Sequence, residues 1–448
     1  MLKNKDSYLK KIVQDYDLCL YEKGKKFIRD NPLLLSIDDL SRIAEITNTY
    51  QESTAAYYTD PVTVATLCDH LPKFDKSTLR VLEPSVGVGN ILRQVIKKYK
   101  DIVDYIDVDV FDINKNSLEI CEILINKEFG YMSNIKVNYI HDDFLNHTFN
   151  KNYDLVVGNP PFMKIKGTYR ERLRQELDNM IADNISAFFL DKSICLSKNI
   201  ALIMPKYFLH NIDFSLSREK IRTLKIQKII DFGETGFKGI LIETIFLLID
   251  TQSKKIDFTN VVSIPKKINL RQSQTDITNS FFPNWLIYID EKFKTLSSEM
   301  TFNIFNVFRD RQITSKMLCN TGDVWVIKSK NILRDANKAI HTDHDQFIEL
   351  GVLLKLGVYK YMERDDVFLS PNMTYYPRVI KKPKNCVVNG SVAVFELKPN
   401  ETISKADLLF FSSSEFEEFY RIARNHSTRS LNIDNTAIFY FGRRNHYV

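Results

Sequence analysis

The spacing of hydrophobic positions changes twice along the chain. From Asp6 to about Ile46 the apolar residues Leu9, Ile12, Val13, Leu18 and Leu20 recur at roughly helical spacing, and Ser36 can cap a second helix through Asp38 and Asp39. Between Arg80 and Asp250 short β-rich runs take over, at residues 80–83, 105–111, 135–140, 154–158, 200–204, 229–231 and 244–249. Amphipathic stretches at 91–99, 117–127 and 186–196 lie between several of them. This alternation predicts an α/β fold with a doubly wound, mainly parallel sheet. After Asp250 it stops. The polar, turn-rich stretches 251–255 and 271–279 place a boundary near residue 255. The expected organisation is a helical segment (1–50), an α/β catalytic domain (51–255) and a mixed α+β C-terminal domain (256–448).

Composition narrows the class. At 448 residues, with 44% hydrophobic and 26% charged positions, the chain can bury real cores, and disorder or fibrous repeats are excluded as its main feature. Cys19, Cys68, Cys121, Cys195, Cys319 and Cys386 are too few and too far apart for a disulfide framework or a metal-type pair, so reduced structural thiols are expected. The charged start lacks the apolar core of a signal peptide, and no stretch of about 18 apolar residues offers a membrane span. A soluble, cytoplasmic protein without membrane partners is expected. The net charge of +6 suits a polyanionic partner but does not select one.

Residues Glu83-Pro84-Ser-Val-Gly87-Val-Gly89-Asn90 follow one strand and open onto a helix. Gly87 and Gly89 allow a tight turn and close approach of a ligand to the backbone. Asp112 ends the next strand, where a carboxylate can hold ribose hydroxyls. Asp143-Phe144 follows the third, where an acid and an aromatic ring can frame an adenine. Three acids thus fall at three successive strand ends, the edge at which such sheets bind ligands. The loop lacks the third glycine of the dinucleotide fingerprint. Glu83 would also meet a pyrophosphate awkwardly, which argues against a nicotinamide oxidoreductase. It suits instead the positive amino-acid end of S-adenosyl-L-methionine.

Asp154-Leu-Val-Val-Gly158-Asn159-Pro160-Pro161-Phe162 carries the most chemistry. Two prolines fix φ and remove two backbone donors, leaving a strand end rich in acceptors: the Asn159 amide oxygen and a backbone carbonyl. Two acceptors match the two N–H groups of an exocyclic amine. Accepting both hydrogens localises the nitrogen lone pair for attack on a sulfonium methyl, so positioning and electrostatics carry the catalysis and no strong base is needed. Phe162 offers a flat apolar face on which a base can stack.

The tetrad Asn159-Pro160-Pro161-Phe162 is similar to the signature of amino-methylating DNA methyltransferases, and the order of blocks resembles their gamma class, the N6-adenine-specific enzymes of type II restriction-modification systems. The resemblance runs from about Ala56 to Asp250. It implies a Rossmann-like S-adenosylmethionine methyltransferase sheet. It makes Tyr57-Tyr58-Thr59-Asp60-Pro61 the first motif, with Tyr58 and Thr59 touching the cofactor beside Glu83, Pro84, Gly87, Gly89, Asp112, Asp143, Phe144 and Asn159. Residues 229–237 resemble the later motif whose aromatic stacks on a flipped base, here Phe237. Phe162 stands where tyrosine is commoner, and Asp109 competes with Asp112 for the ribose.

The C-terminal half interleaves aromatic and basic residues. Arg309, Arg311 and Gln312, then Arg378, Lys381 and Lys382, are the expected DNA contacts of a target-recognition domain. His341 and His344 lack partners for a metal site, and none is expected. The implied partners are double-stranded DNA and a restriction endonuclease encoded separately, since no nuclease constellation is present. Two alternatives remain open: transfer to an RNA or protein-glutamine amino group, and a non-catalytic DNA-binding specificity subunit.

Overall fold

A computed structural model describes residues 2–47, 61–234, 242–255, 257–334, 338–374, 376–428 and 432–445. The chain folds as two compact units, Met1–Thr275 and Asp276–Val448.

The first unit is built on a nine-stranded sheet. Its strands are β1 (Thr78–Glu83), β2 (Tyr105–Asp112), β3 (Ile135–His141), β4 (Leu155–Gly158), β5 (Asn199–Pro205), β6 (Leu224–Gly233), β7 (Thr244–Lys254), β8 (Phe258–Ser263) and β9 (Ile268–Ser273). They lie in the order β3-β2-β1-β4-β5-β7-β6-β8-β9. The first five neighbours pair in parallel, and β7 runs antiparallel between β5 and β6. Strands β4 and β5 are apolar almost throughout and almost wholly buried, as strands covered on both faces must be. The order reverses between β1 and β4, which opens a crevice at their carboxyl ends.

Helices α1 (Leu2–Asp15), α2 (Tyr21–Asp30), α3 (Ile37–Thr47), α4 (Pro61–His70), α5 (Asn90–Tyr99), α6 (Lys115–Phe129), α7 (Gly167–Glu176), α8 (Ile185–Leu196) and α9 (Ser215–Arg222) accompany the sheet. Ser36 caps α3 as expected, its hydroxyl accepting from the Asp39 amide at 3.2 Å. The N-terminal helices do not stand apart. Leu9, Ile12, Phe27, Leu40 and Ile43 pack with Val88 of the glycine loop and with Ile120 and Leu124 of α6. The sheet also runs past residue 255, because β8 joins β6 in parallel and β9 closes the edge. The break between units therefore falls at Thr275, later than the change in pattern suggested.

The second unit is mixed α+β. Strand Phe305–Arg309 pairs with Val392–Leu397, which pairs with Phe368–Pro371 and through it with Ile380–Lys381. A second sheet sets Val324–Ile327 between Gln346–Ile348 and Cys386–Val388. Stacked rings join helix Glu291–Ser298 to helix Ser414–Ala423, with Phe293 and Phe419 at 4.6 Å and 11°.

Candidate active site

The glycine loop leaves β1 at Glu83 and enters α5 at Asn90. Gly87 and Gly89 both take positive φ, +57° and +86°. A side chain at Gly89 would place its Cβ 2.7 Å from the Cys121 sulfur, so this position demands glycine twice over. The loop is tied to β2, since the Gly87 amide donates to Asp112 Oδ2 at 2.8 Å. Ser41 of α3 donates to the Asn90 side chain at 2.5 Å, and Asn90 donates to Glu45.

Glu83 is 1% exposed and its Oε2 has no hydrogen-bond partner among the described residues. Burial, then the neighbouring Asp112 carboxylate, push Glu83 well above the ordinary carboxylate range, although the Leu92 amide counteracts them. Asp112 is raised too, mainly by burial. Buried Glu83 and half-buried Asp112, close enough for the second to raise the first and with no cation paired to either among the described residues, suit a positively charged group. S-Adenosylmethionine carries such a group. Asp109 is a different kind of acid: Tyr153, Asn138 and Lys151 surround it at 2.5, 2.7 and 2.7 Å. It serves structure, and Asp112 is the acid at the glycine loop.

The tetrad comes to the same place from β4. Gly158 lies so close to β1 that an added Cβ would sit 3.3 Å from Pro84 Cδ. Ser85 Oγ donates to the Asn159 carbonyl at 3.1 Å, locking the first tetrad residue to the glycine loop. Asn159 is half-buried, Pro160 buried and Pro161 half-buried. Phe162 departs from expectation: it is 9% exposed and packs in the main hydrophobic cluster, so the flat face expected of it is closed.

Asp143 accepts the Leu145 amide on Oδ1 at 2.9 Å and the Tyr169 hydroxyl on Oδ2 at 2.8 Å. The ring of Phe144 does not flank a ligand site. It is 1% exposed and lies among Phe111, Phe149 and Phe189, so it serves as core and leaves only its backbone for a ligand. Tyr57, Tyr58, Thr59 and Phe237 lie outside the described residues.

Ser85, Tyr169 and Lys206 were not singled out by the sequence. Lys206 follows β5 and is 3% exposed, its Nζ 2.8 Å from Asp231 at the end of β6 and 3.2 Å from Glu243, which leads into β7.

In the second unit the expected DNA contacts divide. Arg311, Gln312 and Lys381 are exposed, although Gln312 accepts the Gly357 amide at 2.7 Å. Arg309 is half-buried, with a shielded Nε that has no hydrogen-bond partner among the described residues. Arg378 and Lys382 require correction. Arg378 donates to the carbonyls of Ile332 and Tyr376 and to the Thr374 hydroxyl. Lys382 is 1% exposed and donates to the carbonyls of Met362, Arg364 and Pro383. Both charges hold loops together from within. Among the described residues no group of three or more His, Cys, Asp or Glu could hold a metal, and no helix is long and apolar enough to cross a membrane.

The strand order, the glycine loop and the acids at the strand ends define an S-adenosylmethionine-dependent methyltransferase fold, with S-adenosylmethionine as cofactor. Residues 62–237 match the family described as Eco57I restriction-modification methylase. The chain is similar to the type II methyltransferase M.AccI of Acinetobacter calcoaceticus, 26% identical over 227 residues; the match covers 47% of this chain and 39% of that protein, well under half of its length. In fold it resembles the type IIG restriction endonuclease BpuSI (TM-score 0.51, 13% identity, 92% of this chain and 61% of that one). It also resembles the type IIL restriction-modification enzyme MmeI, solved in complex with DNA (TM-score 0.50, 11% identity, 97% and 67%).

Proposed function

We propose that this chain transfers a methyl group from S-adenosylmethionine to the exocyclic N6 amino group of adenine in duplex DNA, as the modification enzyme of a restriction-modification system. The single observation that carries this reading is the junction of tetrad and cofactor loop: Ser85 bonded to the Asn159 carbonyl beside Gly158, which packs against Pro84. It sets an acceptor-rich strand end next to the loop that begins at buried Glu83 and is bonded to Asp112 through Gly87.

When bound, the cofactor supplies an electrophilic sulfonium methyl. Glu83 and Asp112 hold its amino group and ribose, Asp143 and the Phe144 backbone its adenine. Ser85 already occupies the Asn159 carbonyl, so the two acceptors for the target amine are the Asn159 side-chain oxygen and the Pro160 carbonyl. Holding both hydrogens keeps the nitrogen lone pair directed at the methyl carbon. A base inside a duplex is out of reach of such a strand end, so the adenine is extruded. Phe162 supplies an apolar wall and Phe237 a stacking ring. The second unit reads the target sequence, through Arg309 and Arg311 among others. The match to Eco57I-type methylases and to M.AccI favours DNA over RNA or protein as the acceptor.

The test is Asn159→Ala. Methyl transfer to duplex DNA falls at least 100-fold, the size of a lost preorganised oxyanion-type contact, while calorimetric cofactor affinity stays within about threefold. Retained turnover, or methylation of RNA or protein in preference to DNA by the unaltered enzyme, overturns the assignment.

A further inference from the structure

Between the tetrad and α8 the chain makes an excursion closed at its base. The Ile165 amide donates to the Asp183 carbonyl and the Ile185 amide to the Met163 carbonyl, each at 2.9 Å, and Arg170 and Arg174 both reach Asp183. At its tip lies α7, a charged helix in which only Leu173 is buried. This helix has no apolar face to hold it in place. It is fixed instead by polar contacts to the turn after β3. The Tyr169 hydroxyl donates to Asp143 Oδ2 at 2.8 Å, Arg172 donates to the Asn146 side chain, and the Arg172 guanidinium lies 5.3 Å from the centre of the Tyr169 ring. From the other side Lys192 of α8 donates to the carbonyls of Leu145 and His147, both at 2.8 Å.

We propose that Tyr169 is a positioning residue for the cofactor: its hydroxyl fixes the rotamer of Asp143 so that the carboxylate meets the adenine end, and it ties that end to the excursion that begins at the catalytic tetrad. The inference rests on the reading of Asp143 as an adenine contact. An aspartate at the tip of a turn has two χ angles to order on binding, and a donor that orders them beforehand removes that cost. Oδ1 is already held by the Leu145 amide, so the two bonds together leave one orientation of the carboxylate. Burial and the Asp143 carboxylate both raise the tyrosine hydroxyl above its ordinary range, so it remains a proton donor at neutral pH.

Calorimetric titration of the whole chain with S-adenosylmethionine and S-adenosylhomocysteine tests the proposal. Tyr169→Phe removes only a hydroxyl from a half-buried ring and leaves the melting profile in place. It weakens both ligands equally, about tenfold, as loss of a hydrogen bond to a carboxylate does. In a double-mutant cycle Asp143→Asn with Tyr169→Phe binds no more weakly than Asp143→Asn alone, because the hydroxyl acts only through that carboxylate. Unchanged affinity in Tyr169→Phe, or losses that add in the double variant, overturn the role of Tyr169 and leave the methyltransferase reading intact. Failure of the unaltered chain to bind either ligand overturns that reading itself.

Discussion

Glu83 shows how a single residue can be set against the fold it belongs to. In the unfolded chain it ionises in the ordinary carboxylate range; in the folded chain burial and Asp112 hold its proton to a much higher pH. The folded state therefore binds more protons than the unfolded state between those two values. Its contribution to stability is complete at low pH and is lost as pH rises through that window. Glu83→Gln removes the titration. The variant without ligand melts above the parent at pH 8, and the gap closes as pH falls toward 4, each kcal/mol amounting to about 2–4 °C for a unit of this size. If Glu83 faces the cofactor's amino group as proposed, the same substitution removes that negative charge and weakens S-adenosylmethionine binding about tenfold or more. Differential scanning fluorimetry across pH checks the first result and calorimetry the second. A melting gap that does not depend on pH refutes the buried charge.

At the scale of elements, Lys206 joins the carboxyl ends of β5 and β6 to the start of β7 through Asp231 and Glu243, beside the strand end that carries the tetrad. Removing one member of a buried ion cluster leaves the others desolvated, at about 3–5 kcal/mol. Lys206→Met therefore lowers the urea midpoint of the first unit strongly, and a shift worth under 1 kcal/mol would show that this junction is not buried as described. How much of this was legible in the sequence depends on where the partners lie. Strands β4 and β5 announce themselves because both faces are buried and the residues run apolar, and β2 because Ile106, Val108 and Val110 alternate with more polar positions. Strand β9 alternates half-buried and exposed positions at the sheet edge and so reads as turn. Helix α7 has no hydrophobic stripe to detect. The site follows the same logic. Glu83, Gly87, Asp112 and Asn159 stand out because their chemistry sits in short, backbone-restricted motifs. Tyr169 does not, since its partner lies 26 residues away. An acid followed by an aromatic cannot reveal which way the ring turns, and Phe144 turned into the core. Arg378 and Lys382 looked like surface charge because the carbonyls they hold lie up to 46 and 20 residues distant in the chain.

For the whole molecule the question is which of its basic residues face a polyanion, given a net charge of only +6. Adjacent Lys381 and Lys382 make a controlled comparison, one exposed and the other 1% exposed. A lysine that neutralises a phosphate releases a condensed counterion, so each such contact contributes about 0.9 to the slope of log affinity against log salt. If the second unit carries duplex DNA on the face that includes Lys381, Lys381→Ala reduces the slope by about 1 and weakens binding alike for all sequences. Lys382→Met removes a donor shared by three backbone carbonyls. It costs about 1–3 kcal/mol of stability for the polar groups left behind, while the salt slope of the remaining folded protein stays unchanged. Fluorescence anisotropy with a duplex between 50 and 200 mM salt, together with chemical denaturation of both variants, separates the two effects. A salt slope near zero for the unaltered chain would remove the second unit as a DNA-binding face, and a slope that shifts with Lys382 instead of Lys381 would reverse the assignment of inside and outside on which the comparison depends.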